Sequence, residues 1–595
     1  MSNESRLPSP RGITRRDALR LGLATGAATT LAAAGGLDAL AAPPAQLNEA
    51  TIAGLQHAMS SGKLTSKQLV DFYLHRIEAL DRDGPGVNSV IQLNPDARSI
   101  AAHLDAERHH QGPRGPLHGI PVLLKDNIDT HDKMQTTAGS LALVGTPATV
   151  DSTVAMKLRA AGAVILGKTT LSEWANFRSF TATSGWSGRG GQCNNPYLLD
   201  YNPCGSSSGS AAAASANFTA VSLGSETDGS IVCPANHSGV VGLKPTVGLV
   251  SRAGVIPISH VQDTIGPHTR TVADAAIVLG AIQSTTSDGR DAATGGVPLG
   301  WRGIKNRPTN IPTDYTQFLN PHGLNGARLG VWEAGMAAAN QNVLDAFTQA
   351  TAAMQAAGAT LVTIDFPHAA DINSGNAEFL ILLYDFKVDL DSYLATRVGV
   401  PIHNLDDAIA FNNAHADREM PFFAQEIFLA AQAMDTSSPD APQPSFGGMT
   451  YNQALDADQK IGGTEGIDQV LHDFNLDAII SATEPLSWAT DLVYGDRFTF
   501  GTSTPCAIVG YPIINVPSGF VLHMPLGISF MGTAFSEPKL ITLASGFEHV
   551  YPQRHAPKFL DSLPVDAHES VPKSDRPRTN LRAPLKFNGA RPGRI

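Results

Sequence analysis

Cysteines, charged residues and long apolar runs are all scarce in this chain of 595 residues. Its four cysteines are too few for a disulfide-dense scaffold of this length. Charged residues amount to 16%, with a formal net charge of −12, which argues against a nucleic-acid partner held through its phosphates. After residue 41 no run reaches the roughly 18 strongly apolar residues of a membrane helix, so we expect no stable membrane anchor.

Apolar residues, in contrast, make up 42% of the chain. At this low charge density that fraction excludes a disordered protein and indicates a large core. No linker-like stretch interrupts the long middle part of the sequence. We therefore expect one large domain over residues 42–555, followed by a Pro- and Arg-rich tail over 556–595.

The first 41 residues have the pattern of an export signal. Arg15 and Arg16 form a twin-arginine pair, a weakly apolar run extends from Leu21 to about Leu37, and Ala39–Ala41 is a small-residue cleavage site. An N-terminal helix with a chance arginine pair is the alternative, but the three regions occur in the order of a signal. We predict a twin-arginine signal peptide over 1–41 and a periplasmic or secreted protein. Proteins exported this way are already folded, so the sequence leaves the redox state of the cysteines open.

Alternating strand and helix patterns indicate an α/β protein. Arg328–Trp332 is a predicted strand, residues 343–357 an Ala-rich helix and Leu361–Ile364 a second strand, which together form a βαβ unit with parallel strands. Gly167–Thr169 is a predicted turn, with a helix beginning at Leu171. Further buried strands are predicted at 122–124, 163–166, 219–223, 476–481 and 513–516.

The segment Gly119–Asn127 carries a lysine, Lys125, directly after an apolar strand. Burying an ammonium group is costly unless the group is paired or neutral. A lysine that turns outward into solvent at the strand end is the simpler alternative. The residue types alone do not decide between the two.

Two further segments are built from small residues. Cys204–Ser210 precedes an alanine run, and such a loop lets the backbone approach itself or a ligand closely. A flexible Ser/Gly linker is the alternative, while a phosphate-binding loop is disfavoured because the Walker pattern is absent. In Gly224–Pro234, Gly229 permits a tight turn that would expose the hydroxyl of Ser230, although an ordinary loop would have the same composition.

Taken together, the three segments resemble the amidase signature family. Ser206 and Ser230 are 24 positions apart, which is the separation found in that family. Within it, Ser172–Arg178, Thr227–Pro234 and Leu382–Lys387 are most similar to the bacterial peptide amidases, which remove ammonia from C-terminal amides of peptides. Asp228 stands where the wider family usually has glycine, and Val232 where it usually has arginine, and both departures are similar to the peptide amidases.

The resemblance implies a fold and a set of catalytic roles. The fold is a single large α/β domain with a central mixed β-sheet covered by helices. Ser230 is the implied nucleophile, Lys125 the base, and Ser206, preceded by a cis peptide bond, the proton relay between them. Because the ordinary lysine pKa is about 10.4, the base must be desolvated to be neutral near pH 7. The implied oxyanion hole consists of the backbone N–H groups of Thr227, Asp228, Gly229 and Ser230.

Two more residues are expected to support this site rather than to react. Ser207 is expected to hydrogen-bond around it, and Glu226 to hold the nucleophile loop. Lys168, a second strand-end lysine, is predicted to be structural. The resemblance implies no cofactor and no metal, and the cysteines lack a Cys-x-x-Cys spacing.

The implied reaction is hydrolysis of a peptide C-terminal amide to acid and ammonia, through an acyl-enzyme. Other small or aryl amides and esters are the alternative substrates. A tRNA-linked amidotransferase subunit is disfavoured by the signal and the acidic charge. A catalytically silent binding protein on the same scaffold is disfavoured because Lys125, Ser206 and Ser230 are all present. We expect a small-molecule or short peptide amide as the partner, no nucleic acid, and a monomer or simple homo-oligomer.

Overall fold

A computed structural model describes residues 47–296 and 307–564. All of them belong to one compact unit, Ala42–Ile595. The predicted signal peptide lies outside the described residues, as does the predicted tail beyond residue 564, so both remain predictions. At the start of that tail, Phe559 N donates to Pro196 O and Leu199 N donates to Leu560 O. None of the described helices is long and apolar enough to cross a membrane.

The core of the unit is an 11-stranded mixed sheet in the order β1-β3-β2-β6-β8-β7-β12-β13-β11-β9-β10. Pairing is parallel through β3-β2-β6 and through β11-β9-β10, and antiparallel at the other contacts. Strands β4 and β5 form a separate two-stranded sheet. The strands are β1 Val90–Leu93, β2 Pro121–Lys125, β3 Val164–Thr169, β4 Trp186–Ser187, β5 Gly191–Gln192, β6 Val221–Glu226, β7 Val241–Lys244, β8 Thr264–Thr269, β9 Arg328–Trp332, β10 Thr360–Ile364, β11 Ala478–Ala482, β12 Ile513–Val521 and β13 Met524–Met531.

Helices cover both faces of this sheet. Successive side chains of a strand point to opposite faces, and Ile479 and Ile480 accordingly lie in two different buried apolar clusters. The α-helices are α1 Ile52–Ser60, α2 Ser66–Arg76, α3 Ala97–Gln111, α4 Thr153–Ala160, α5 Ser208–Ser215, α6 Val232–His237, α7 Val272–Ile282, α8 Gln341–Ala356, α9 Ala369–Ser374, α10 Asn376–Leu394, α11 Leu405–Ala414, α12 Ala416–Glu419, α13 Glu426–Gln432, α14 Tyr451–Asp458, α15 Asp468–Asp473, α16 Thr504–Ala507 and α17 Glu537–Val550.

The predicted fold class is confirmed, and so is the βαβ unit. Strands β9 and β10 flank α8 and pair in parallel, with Leu361 opposite Leu329. Asn340 caps the start of the Ala-rich helix α8, because its side chain accepts a hydrogen bond from Val343 N. This bond supplies a partner for an otherwise unpaired N–H group of the first turn.

Two local predictions around the second strand-end lysine are wrong. Gly167–Thr169 is the end of β3, not a turn, because this segment pairs with β1 on one side and β2 on the other. The helix predicted from Leu171 is a short 3-10 turn, Glu173–Asn176, in which Trp174 and Ala175 have φ of 48° and 56°. Left-handed residues cannot continue a right-handed helix.

Candidate active site

Lys125 ends the interior strand β2, between the parallel neighbours β3 and β6. Its side chain is fully buried, so the outward-turned alternative does not apply. Nζ lies 2.8 Å from Ser206 Oγ, 3.0 Å from Ser225 Oγ and 3.1 Å from Ser225 O. A hydroxyl can donate as well as accept, so the two serine hydroxyls around Nζ can hydrogen-bond to both the ammonium and the neutral amine.

Burial also sets the protonation of Lys125. Desolvation disfavours the charged form of a lysine, and here it lowers the pKa to about 7 even though the carboxylates of Asp263 and Glu226 act in the opposite direction. Near neutral pH a large fraction of the side chain is therefore the free amine. An amine in that state can accept a proton from a hydroxyl group.

The backbone around Ser206 has an unusual conformation. The Gly205–Ser206 peptide bond is cis, as the resemblance implies. Residue 205 must be glycine, because a Cβ there would lie 2.2 Å from Ser172 Oγ. On the same side, Ser172 N donates to Ser206 O at 3.1 Å. Helix α5 begins two residues later and is buried along its whole length.

Ser230 lies in the loop that follows β6, and Ser207 N donates to its carbonyl oxygen at 3.2 Å. The preceding Gly229 has a φ of +76°, a conformation that glycine adopts without strain. Thr227 and Ser230 are each 8% exposed. The loop thus brings Ser230 beside the Ser206–Ser207 segment, although the two lie on different elements.

The two expected supporting residues contact backbone at this site. Glu226 Oε2 accepts hydrogen bonds from Ile231 N at 2.6 Å and Val232 N at 3.0 Å, and burial raises the pKa of its carboxyl. Ser207 Oγ donates to Ser225 O at 3.0 Å and accepts from Ser225 N at 3.2 Å. Glu226 therefore braces the residues just after Ser230, and Ser207 braces the end of β6.

The side chain of Asp228 is directed toward the start of α16. Its Oδ1 accepts from Ser503 Oγ at 2.5 Å and its Oδ2 from Thr504 Oγ1 at 2.7 Å. Burial raises the pKa of this carboxyl, and the two hydroxyl groups partly offset that effect. The carboxylate is thus engaged with hydroxyl donors, which leaves the backbone of Asp228 as the part available to the proposed oxyanion hole.

A disulfide joins Cys204 to Cys233, with a Cα–Cα distance of 5.9 Å. It connects the residue two before Ser206 to the residue three after Ser230. Cys193 and Cys506 are buried free thiols. The sequence left the redox state of the cysteines open, and no cysteine spacing signalled this pair.

These elements enclose a cavity of about 490 Å³. Ser230 and the Thr227–Gly229 loop form part of its lining, together with Cys204, Gly205 and Cys233. Other lining residues are Phe177, Ile258, Leu382, Phe498, Glu378, Glu484, Asp496, Gly501, Ser503 and Thr504. The cavity is therefore open to the proposed nucleophile and mixes apolar with acidic walls.

Lys168, predicted to be structural, is also fully buried. Its Nζ donates to Ile128 O and to Thr136 Oγ1, the latter at 2.9 Å. Burial lowers its pKa as well, although the neighbouring carboxylates act to raise it. Lys168 thus contacts the segment after β2, whereas Lys125 contacts Ser206 and Ser225, so the two lysines serve different parts of the fold.

Two groups of side chains in the described ranges have metal-ligand spacing. In Cys204–Cys233–His237 the two sulfur atoms are bonded to each other, so neither is a thiolate. In the other group, His260 Nδ1 lies 3.0 Å from Asp389 Oδ2 and 3.5 Å from Asp385 Oδ1. Burial acts to lower the pKa of His260, but the two carboxylates raise it to about 9. The imidazole of His260 is therefore held as an ion-pair partner of the two carboxylates.

Several contacts of this site were not predicted from the sequence. Ser225 supplies two of the three oxygen atoms around Lys125 Nζ, but the strand was predicted to end at residue 223. Continuing that strand to Glu226 would have placed Ser225 beside Lys125. Ser503 and Thr504 are more than 270 positions from Asp228, and no local pattern connects them.

Comparison with known proteins agrees with this arrangement. The family model described as Amidase matches residues 68–541. A "probable amidase" of Arabidopsis thaliana is 42% identical over 522 residues, covering 86% of this chain and 92% of its own.

Among solved structures, the native peptide amidase from Stenotrophomonas maltophilia is 45% identical with a TM-score of 0.78, and covers 86% of this chain and 99% of its own. The peptide amidase PAM in complex with the competitive inhibitor chymostatin has the same identity, TM-score and coverage. With its sheet, its motifs and these matches, the chain belongs to the amidase signature family and is an amidase-type hydrolase.

Proposed function

We propose that this enzyme hydrolyses C-terminal amides of peptides, giving the free acid and ammonia through an acyl-enzyme on Ser230. The observation that carries the proposal is the 2.8 Å contact between Lys125 Nζ and Ser206 Oγ, next to a cavity that contains Ser230. A neutral hydroxyl is a weak nucleophile and needs a base to take its proton. Lys125, with a pKa of about 7, is suited to that task.

In the proposed reaction, Ser230 Oγ attacks the amide carbonyl carbon. Its proton passes to Ser206 Oγ, while the Ser206 proton passes to Lys125 Nζ. The carbonyl oxygen becomes an oxyanion, which the backbone N–H groups of Thr227, Asp228, Gly229 and Ser230 stabilise. In other enzymes the loss of one such donor costs about 2.7–4 kcal/mol.

Collapse of this intermediate breaks the C–N bond. Lys125 returns a proton through Ser206 to the leaving nitrogen, which departs as ammonia and leaves an ester on Ser230. Water then attacks the ester, with the same pair of residues as base. Release of the acid restores the Ser230 hydroxyl and the neutral lysine.

Peptide amides are favoured over other amides by similarity and by the size of the site. The similar solved structures include a peptide amidase and its complex with a competitive inhibitor. A cavity of about 490 Å³ falls within the range of small-molecule sites and accommodates a short peptide end. Aryl amides and esters react through the same intermediate and are the competing substrates.

Ammonia release from a C-terminally amidated dipeptide tests this proposal, with Ser230→Ala as control. We expect release by the enzyme lacking residues 1–41 and none by the variant. Turnover of a simple aryl amide or ester without the dipeptide amide would overturn the peptide assignment but keep the acyl-enzyme. If no acyl substrate is turned over, the result would favour a binding protein without catalytic activity. Light scattering on the same sample tests our proposal of a monomer or simple homo-oligomer.

We also propose that the protein is exported by the twin-arginine route to the periplasm or beyond. The support is the order of the three signal regions in residues 1–41, together with a disulfide that suits an oxidising compartment. Fractionation of cells expressing the full chain tests this proposal. Replacing Arg15 and Arg16 by lysine should retain the protein in the cytoplasm, and unchanged export would contradict it.

A further inference from the structure

The cavity beside Ser230 is acidic. Four carboxyl groups line it, those of Asp228, Glu378, Glu484 and Asp496, and among its described lining residues none is lysine or arginine. Asp496 accepts four hydrogen bonds, from the Ser184 backbone and hydroxyl, from Asn202 Nδ2 and from Trp488 Nε1, whereas Asp228 accepts two from hydroxyl groups. The other two carboxyls are Glu378 and Glu484.

Asp228 and Glu378 both line the cavity, close enough for the charge of Asp228 to act on Glu378. Burial raises the pKa of both, and the like charge of the partner and of Asp458 raises that of Glu378 further. On the other side, Gln262 Nε2 donates to Glu378 Oε1 at 2.9 Å, and the charge of Lys244 favours ionised Asp228.

Glu484 is the third of these carboxyls. Its side chain is fully buried, and neither carboxyl oxygen has a hydrogen-bond partner within residues 47–296 and 307–564. It lies beside two glycines of the cavity wall, since a Cβ built on Gly501 would be 3.0 Å from Oε2 and one built on Gly229 would be 3.9 Å from Oε1. Burial and the charges of Asp228 and Glu226 raise its pKa well above the ordinary value.

A buried carboxyl without a donor is costly to ionise, and an ammonium group supplies both the compensating charge and three N–H donors. We propose that Asp228, Glu378 and Glu484 form a cation subsite, which binds the protonated amine of the acyl part of the substrate. The inference rests on the proposed function and narrows it to short peptide or amino-acid amides with a free amino group. A proton that the raised pKa of Glu378 or Glu484 retains leaves to solvent when the ammonium binds.

Binding can be measured without turnover in Ser230→Ala. Calorimetry would compare an amidated dipeptide bearing a free amino group with its N-acetylated form, in two buffers of different ionisation enthalpy. We expect the free amine to bind at least about tenfold more tightly and to release a proton, with no release for the acetylated form. Equal affinities without proton release would overturn the subsite, whether or not the wild-type enzyme turns these compounds over.

Kinetics give a second readout, the ratio of kcat/KM for the free-amine and acetylated dipeptide amides. We expect this ratio to be about ten or more in the wild type and to fall toward one in Glu378→Gln. Asp473→Asn, which removes one exposed charge paired with His472, should keep the wild-type ratio. If both amides release ammonia equally fast, the subsite is wrong and the proposed function stands. If neither releases ammonia, the proposed function fails, and the calorimetry still decides the subsite.

Discussion

Lys125 and Ser206 are 81 positions apart in the chain, yet Nζ and Oγ meet at 2.8 Å in the buried interior. Strand pairing brings them together, because β2 lies next to β6 and Ser207, the residue after Ser206, hydrogen-bonds to Ser225 near the end of β6. The contact joins an amine whose pKa burial lowers to about 7 to a hydroxyl group in the segment that also contacts Ser230, through Ser207 N and Ser230 O.

Replacing Lys125 by methionine should lower kcat by about 10²–10⁴-fold, since that is the usual contribution of a general base. The wild-type enzyme should lose kcat/KM as the pH falls through about 7, because only the neutral amine accepts a proton. A pH profile of amide hydrolysis checks both statements. An acidic limb centred near pH 4 would assign the base to a carboxylate instead.

The same substitution should stabilise the fold at neutral pH. In the unfolded chain Lys125 regains its ordinary pKa of about 10.4, whereas in the folded protein the pKa is about 7. Unfolding therefore takes up a proton between these values, and this favours the unfolded state increasingly as the pH falls from 10 to 7.

Lys125→Met removes that cost, so we expect its Tm to exceed the wild-type Tm at pH 7. The advantage should shrink as the pH approaches 10. Differential scanning calorimetry at several pH values measures the difference, and an advantage independent of pH would point to better packing alone.

Reduction of the Cys204–Cys233 disulfide should impair catalysis more than binding. The bond joins the loops that carry Ser206 and Ser230, and a displacement of about 1 Å at such a site can cost about 10²-fold in rate. We expect Cys204→Ser/Cys233→Ser to lower kcat by tenfold or more with little change in KM. Its stability should fall by about 2–4 kcal/mol.

Cys193→Ala serves as the control for this pair, because Cys193 is a buried free thiol. It should keep the wild-type response to a reducing agent, measured as kcat before and after treatment. If the double variant keeps full kcat, the loops are held by their hydrogen bonds and not by the disulfide.

Glu226 offers a graded test of the nucleophile loop. Glu226→Ala leaves the N–H groups of Ile231 and Val232 without an acceptor in a buried place, at about 1–3 kcal/mol for each unpaired group. We expect a lower Tm and a lower kcat. Glu226→Gln retains an acceptor oxygen and should lie between the alanine variant and the wild type in both quantities, so equal losses would contradict the bracing role.

The sequence predicted the central residues of this site because they lie in continuous motifs. Lys125 ends β2, Ser230 follows β6, and Ser206 lies in the small-residue loop before α5. The partners of Asp228, in contrast, come from a segment more than 270 positions away, and the Cys204–Cys233 bond has no spacing rule. The conformation of Trp174 was predicted wrongly for a different reason. Its local sequence pattern is helical, whereas its backbone in the fold is left-handed.

The disulfide also means that the three residues of the proposed triad are connected in two different ways, covalently between the serines and non-covalently to the lysine. Ser206 and Ser230 both lie inside the ring that Cys204 and Cys233 close over a sequence separation of 29, whereas Lys125 lies outside it. The pairing of β2 with β6, where Leu124 faces Leu223, and the hydrogen bonds of Lys125 Nζ to Ser206 and Ser225 hold the lysine beside the serines. In an oxidised enzyme the unfolded chain still keeps the two serines tethered while the lysine diffuses away. Reversible inactivation by a denaturant therefore reports the separation of Lys125 from the two serines.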